Sequence, residues 1–252
     1  MKKLNIIATL LLLAAGLQIT RAQKVIIYKA DNTTVELKTS EVDSIVFVPE
    51  EPLLTCPDDH HPHAIDLGLP SGTKWCCCNV GASTPEGYGG YYAWGETSEK
   101  SVYNDATYKY YNGQDTDGNG YIDKNFSVVN IGSDIAGTQY DVARVRMGAP
   151  WRMPSVGQME ELINNCSRQW TQLNGVNGIL VTGPSGGQIF LPAAGCRWDD
   201  ELYYAGGEGY YWSSSLYPDD DNGAYCLYFR SGVWFWEGSW RYIGHSVRAV
   251  RP

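Results

Sequence analysis

The run Asp115-Thr116-Asp117-Gly118-Asn119-Gly120-Tyr121-Ile122-Asp123 is the sharpest chemical motif in the sequence. Oxygen-bearing side chains fall at positions 1, 3, 5 and 9 of a calcium-binding loop, and the Tyr121 carbonyl would take position 7. Gly120 supplies the tight turn and Ile122 the apolar residue that follows it. Phe126 stands where a bidentate Glu is expected, and the flanks do not read as two helices. The pattern predicts a weak structural Ca²⁺ site on Asp115, Asp117, Asn119, Tyr121 and Asp123. The competing reading is a solvated turn, which Asp, Asn and Gly also favour.

Soft ligands form a second group. Cys76-Cys77-Cys78 lies in a strand-like run, where alternation directs Cys76 and Cys78 one way and Cys77 the other. Neighbouring cysteines rarely bridge each other because the geometry is strained, so their partners must come from elsewhere. A disulfide between Cys56 and Cys77 would tie the preceding segment to the strand. Zinc is the rival, disfavoured in an exported chain without Cys-x-x-Cys pairs. Asp58-Asp59-His60-His61-Pro62-His63 could hold a transition metal through imidazoles, although such linker histidines are usually just exposed.

The third group is aromatic. Trp198, Tyr211, Trp212, Trp234, Trp236 and Trp240 lie in an aromatic-rich C-terminal stretch and are the candidate ligand-binding residues. Trp234 and Trp236 share one face of a strand, and Val233 and Phe235 the other. Both faces cannot be fully buried in a sheet with one wet side, so some of these rings are expected to reach solvent and stack on a ligand. Asp219-Asp220-Asp221-Asn222 reads as an acidic hairpin tip beside them. No phosphate loop, Gly-x-Ser-x-Gly elbow or His-Glu-x-x-His motif occurs.

Residues 1–22 read as a signal peptide, with Lys2 and Lys3 before the short apolar run Ile6–Ala15 and small Ala22 at the cleavage site. The expected location is outside the cytoplasm, extracellular or at a bacterial cell surface, with the periplasm as the alternative. No apolar run reaches membrane-spanning length. The whole chain carries −9, and this segment holds three cations (Lys2, Lys3, Arg21) and no acid, leaving −12 without it. Such an acidic surface repels phosphate backbones, which makes nucleic acid a poor partner.

The elements that must position these groups are mostly strands. Residues 23–48 predict a small β segment, with strands at Val25–Tyr28, Thr34–Leu37 and Ile45–Val48. Residues 49–62, with four prolines, read as a linker, and 63–252 as the main domain. Ser98–Ser133 looks like a polar, irregular insertion. One helix is expected around Gln139–Met147, starting at Thr138. A clearer one is capped by Ser155 with Gln158 at N3 and an apolar face of Val156, Met159, Leu162, Ile163 and Cys166. Strands follow to the end, with Gly232 and Gly238/Gly244 read as turn positions. Helices in mid-chain between strands indicate an α+β fold.

Several motifs occur in a fixed order: Ala64–Gly72, Cys78–Ala82, Tyr92–Thr97, Tyr140–Ala143, Trp151–Pro154, Glu161–Cys166, Asn174–Gly178, Leu191–Gly195, Tyr211–Ser215 and Ser246–Pro252. In this order they resemble the Fibrobacter succinogenes major paralogous domain, over roughly 63–252. The resemblance implies a C-type-lectin-like domain: a twisted antiparallel sheet, two short helices and long loops. It also implies a Cys78–Cys166 disulfide and a non-catalytic, adhesin-like module that binds glycan or protein. The alternatives are a structural component of a surface appendage and an enzyme like the formylglycine-generating proteins, which share the fold. The calcium–sugar motifs of calcium-dependent lectins are absent, Ser213–Ser215 following the comparable Trp. A formylglycine-type enzyme would need a reactive thiol, here Cys196 or Cys226, neither in a matching motif.

Overall fold

A computed structural model describes residues 24–28, 33–41, 56 and 58–252. The chain divides into two compact units, Met1–Glu51 and Pro52–Pro252. The expected signal peptide and the third strand of the small β segment lie outside the described residues. In the first unit, β1 (Lys24–Tyr28) and β2 (Thr34–Lys38) pair antiparallel, as the alternating pattern predicts.

The second unit is built mostly of antiparallel sheet with two short helices. Its strands are β3 (Ala64–Asp66), β4 (Lys74–Asn79), β5 (Tyr111–Gln114), β6 (Lys124–Val128), β7 (Ser167–Leu173), β8 (Val176–Thr182), β9 (Gln188–Pro192), β10 (Cys196–Trp198), β11 (Glu201–Tyr203), β12 (Glu208–Leu216), β13 (Gly223–Arg230), β14 (Val233–Trp240) and β15 (Arg248–Arg251). Three sheets have three strands, in the orders β15-β4-β3, β7-β8-β9 and β12-β13-β14; β5-β6 and β10-β11 are two-stranded ribbons. No described helix is long and apolar enough to cross a membrane.

Strand β4 is central in its sheet, and Trp75, Cys76, Cys77 and Cys78 are all buried; Cys76 and Cys78 serve as small apolar core residues, while the Cys77 sulfur meets polar partners, among them the His63 amide (3.0 Å). Arg248, the first Arg of the C-terminal motif, locks this region. Its guanidinium donates to Asn79 Oδ1 (2.9 Å) and to the carbonyls of Cys76 (3.0 Å), Cys77 (2.7 Å) and Phe190 (2.8 Å). One buried fork thus ties β4, β9 and β15 together without a carboxylate.

Helix α1 (Val142–Met147) begins later than expected. Its cap is Asp141 rather than Thr138. The buried Asp141 carboxylate accepts from the amides of Gly137 (2.7 Å), Arg144 (3.0 Å) and Met153 (3.0 Å), binding the helix start to the Trp-Arg-Met-Pro motif. Helix α2 (Val156–Asn165) carries the predicted capping box, Gln158 N donating to Ser155 Oγ (3.2 Å) and Ser155 N to Gln158 Oε1 (3.0 Å). It buries Met159 and Leu162.

The region read as an irregular insertion contains the β5-β6 hairpin. Gly238, read as a turn position, is an interior residue of β14 paired with Tyr225. A Cβ there would stand 3.0 Å from the Tyr217 ring, so close aromatic packing accounts for the glycine.

Candidate functional site

The predicted calcium loop closes the β5-β6 hairpin, and carboxylate oxygens of Asp115, Asp117 and Asp123 lie within 4.8 Å of one another. Backbone amides shape it. Gly120 N (2.7 Å), Gly118 N (2.7 Å) and Asn119 N (3.1 Å) donate to Asp115, and these bonds, led by that from Gly120, hold its carboxyl below the usual range. Asn119 Oδ1 accepts from Tyr121 N (2.9 Å), and Thr116 Oγ1 donates to Asp123 Oδ2 (2.6 Å).

The loop is anchored to its surroundings. Ile122 N donates to Asp105 Oδ1 (2.9 Å) and Ala106 N to the Gly120 carbonyl (3.3 Å). Asn104 Nδ2, which donates to Asp199 Oδ1 (3.0 Å), sits against the Gly120 backbone. Burial raises the Asp105 carboxyl's pKa, and the negative charges of Asp115 and Asp199 raise it further. Three anionic elements therefore converge: the loop, the short turn Asp105–Thr107 and the residue after β10.

Asp199 follows Trp198, and this brings the loop beside exposed aromatics. Trp198 is 37% exposed and Trp240 is 49% exposed; their ring centroids are 6.2 Å apart. Trp240 stacks on Tyr242 at 5.7 Å, and Tyr242 meets Tyr111 of β5 at 6.4 Å. From Trp198 the ring contacts run through Tyr203, Tyr204, Tyr210 and Tyr228 to Phe235. Beside Trp240 lies an open cleft of about 400 Å³, lined by Tyr217, Asp220, Ser239 and Ile243, with Gly223 and Gly238 admitting space. The acidic tip beside it is pinned, since Arg241 donates to the carbonyls of Asp221 (3.1 Å) and Asn222 (2.9 Å).

The six candidate aromatics divide. Trp198, Trp236 and Trp240 reach solvent, Trp236 apart from the other two against Tyr225. Tyr211, Trp212 and Trp234 do not, which corrects their placement as ligand-binding residues. Tyr211 OH donates to the Pro192 carbonyl (2.7 Å) and Trp212 Nε1 to that of Tyr92 (2.7 Å). Trp94 Nε1 returns the bond to Ser213 (2.9 Å). Polar tips consumed by backbone carbonyls are the behaviour of core joints. Trp234 is covered in part by the Arg168 guanidinium, 5.2 Å from its ring. Exposure could not be read from alternation because both faces of the β12-β13-β14 sheet are partly covered.

Thiol chemistry finds no support in the environment of the two C-terminal cysteines. Both are buried, and burial pushes the Cys196 thiol up to about 12, with Glu208 adding to the shift. Burial also raises the Cys226 thiol well above its ordinary value. His245 is buried against Tyr210 and Trp212 with Nε2 2.8 Å from Ser239 Oγ, and burial lowers its pKa to about 3. It is a neutral core histidine.

Neither expected disulfide is formed; all seven cysteines are free thiols. Cys77 instead lies among Cys56, His61 and His63, a grouping sequence spacing did not predict, since the side chains come from a loop and from strand β4. The segment read as a linker is, from Pro52 onward, part of the second unit.

Comparison with family models, with curated proteins and with solved structures gives no match to this chain in any of the three.

Proposed function

We propose that this chain is an exported, non-catalytic binding module with a C-type-lectin-like domain, and that its ligand is a glycan. The observation that carries this reading is the juxtaposition of the exposed Trp198–Trp240 pair, the cleft beside Trp240 and the Asp115–Asp123 loop. Apolar ring faces next to hydroxyl and carboxylate acceptors suit a pyranose, which offers C–H groups on one face and hydroxyls at its edge. Calcium on Asp115, Asp117, Asn119, Tyr121 and Asp123 would offset the crowding of negative charge with Asp105 and Asp199, and so stiffen one wall of the site. Its role is structural, because the acidic ligand at Phe126 is missing and the cleft does not require the ion.

The test is a glycan and mucin array probed with the fragment Gln23–Pro252, with Ca²⁺ and with chelator. Binding is expected, reduced by chelation. Trp198→Ala and Trp240→Ala should each weaken it at least about tenfold, in line with the loss of one stacking ring, with little change in melting temperature because both rings are exposed. Silence on all glycans would reject the glycan reading in favour of a protein partner, and equal binding by the Trp198→Ala, Trp240→Ala double variant would remove this pair from the site.

A further inference from the structure

Four soft ligand atoms from two separate parts of the chain meet at the start of the second unit. Cys56 Sγ, His61, His63 and Cys77 Sγ each offer one atom, and all four atoms lie within 4.8 Å of one another. His61 Nδ1 is 3.2 Å from Cys77 Sγ, and His63 Nδ1 is 3.9 Å from the same sulfur. Zn–S bonds near 2.3 Å and Zn–N bonds near 2.0–2.1 Å put sulfur and nitrogen about 3.6 Å apart in a tetrahedron, and the two distances bracket that value. We propose that Cys56, His61, His63 and Cys77 form a structural zinc site of the Cys₂His₂ type.

Three further observations support it. His63 Nε2 lies 3.1 Å from Asp58 Oδ1. A carboxylate on the far nitrogen of a ligating histidine fixes the ring's tautomer and leaves Nδ1 with a lone pair for the metal. The His63 amide donates to Cys77 Sγ (3.0 Å), as ligand thiolates in structural sites commonly require. Two thiolates and two neutral imidazoles balance a divalent charge, so the filled site is neutral and tolerates the partial burial of Cys56, His61 and His63 and the full burial of Cys77.

A Cys56–Cys77 disulfide would use both sulfurs and leave two imidazole nitrogens directed at Cys77 without a purpose. Four protein ligands and no open position make the site structural rather than catalytic. Mixed sulfur and imidazole ligation in a tetrahedron selects zinc over calcium or magnesium. The ion would fasten the segment leading into the domain onto β4, where a disulfide was expected.

The test uses the full chain, purified without added reductant and dialysed, with metal measured by mass spectrometry and thiols by alkylation mapping. One zinc per chain is expected, with Cys56 and Cys77 protected from alkylation until a chelator is added. Cobalt substitution should give the visible absorption of a tetrahedral S₂N₂ centre. Cys56→Ser and His63→Ala lie at the surface segment, so the fold should survive, as checked by circular dichroism, while zinc stoichiometry falls below one half. Asp58→Asn should weaken zinc about 10–100-fold, the range for lost outer-shell partners. A Cys56–Cys77 disulfide in the purified protein, absence of stoichiometric zinc, or unchanged zinc in both ligand variants would each overturn the proposal. None of these results bears on the Trp198–Trp240 site.

Discussion

Gly120 has φ +89°, and a Cβ on it would stand 2.5 Å from Asn104 Nδ2. Both the backbone conformation and the space select glycine here. Gly120→Ala should therefore undock the 115–123 loop from Asn104 and lower the affinity of the proposed calcium site about tenfold, read by calorimetric titration; unchanged affinity would remove docking from the design of that proposed site. Asp141 makes the opposite kind of argument, from charge rather than absence. Its buried carboxylate holds three backbone amides. Asp141→Ala strands them, and a cost of about 3 kcal/mol in urea unfolding is expected from unsatisfied buried donors. The loop was legible because its Asp and Asn residues recur within nine residues of sequence. The role of Asp141 was not legible: the helix start was read at Thr138, and the Met153 amide reaches the carboxylate only through tertiary contact. The Cys56, His61, His63 and Cys77 group was not legible as a unit, because strand pairing brings Cys77 to the other three.

At the scale of the element, helix α2 is the case in which local chemistry decided the outcome. Ser155, Gln158 and the spacing of Met159 and Leu162 all point to one start and one buried face, and the helix has both. Ser155→Ala should cost about 1 kcal/mol, a normal cap loss, and Gln158→Ala should cost less, since the Ser155 amide can turn to water. Chemical denaturation of both variants checks the order; a larger loss at Gln158 would mean that its bond to Thr73 Oγ1 (2.9 Å) matters more than the cap. Strands β5 and β6 fared differently. Their residues are mostly exposed, so no apolar alternation marks them, and the hairpin stands on the loop between them and on Tyr111 packed against Tyr108 and Phe126. Strand β14 shows a third outcome. The pattern identified its first half, and which of Trp234, Trp236 and Trp240 faces solvent depends on Arg168 and on neighbouring strands, which spacing within one strand does not report.

Across the whole second unit, buried polar groups govern how stability responds to pH, and His245 allows the sign to be tested. Its folded pKa is about 3 against an ordinary 6.5, because burial penalises the imidazolium. Tyr210, Trp212 and Ser239 face it and supply no carboxylate. The unfolded chain takes up a proton below pH 6.5 and the folded one does not until about pH 3, so the stability present at neutral pH is lost as pH falls through that window. The carboxyls of buried Asp141 and half-buried Glu237, both raised mainly by burial, act in the reverse direction at the acid end. Comparing the wild type with His245→Gln cancels them. The variant should be less stable at pH 7, where it loses the stacking on Tyr210, and this deficit should shrink by about 3 kcal/mol between pH 7 and pH 4. Urea unfolding at pH 7, 5.5 and 4 measures it. A deficit that stays constant would mean that His245 takes up its proton as readily in the folded protein as in the unfolded chain, and that the core joining the Tyr92, Tyr211 and Ser246 motifs is open to water.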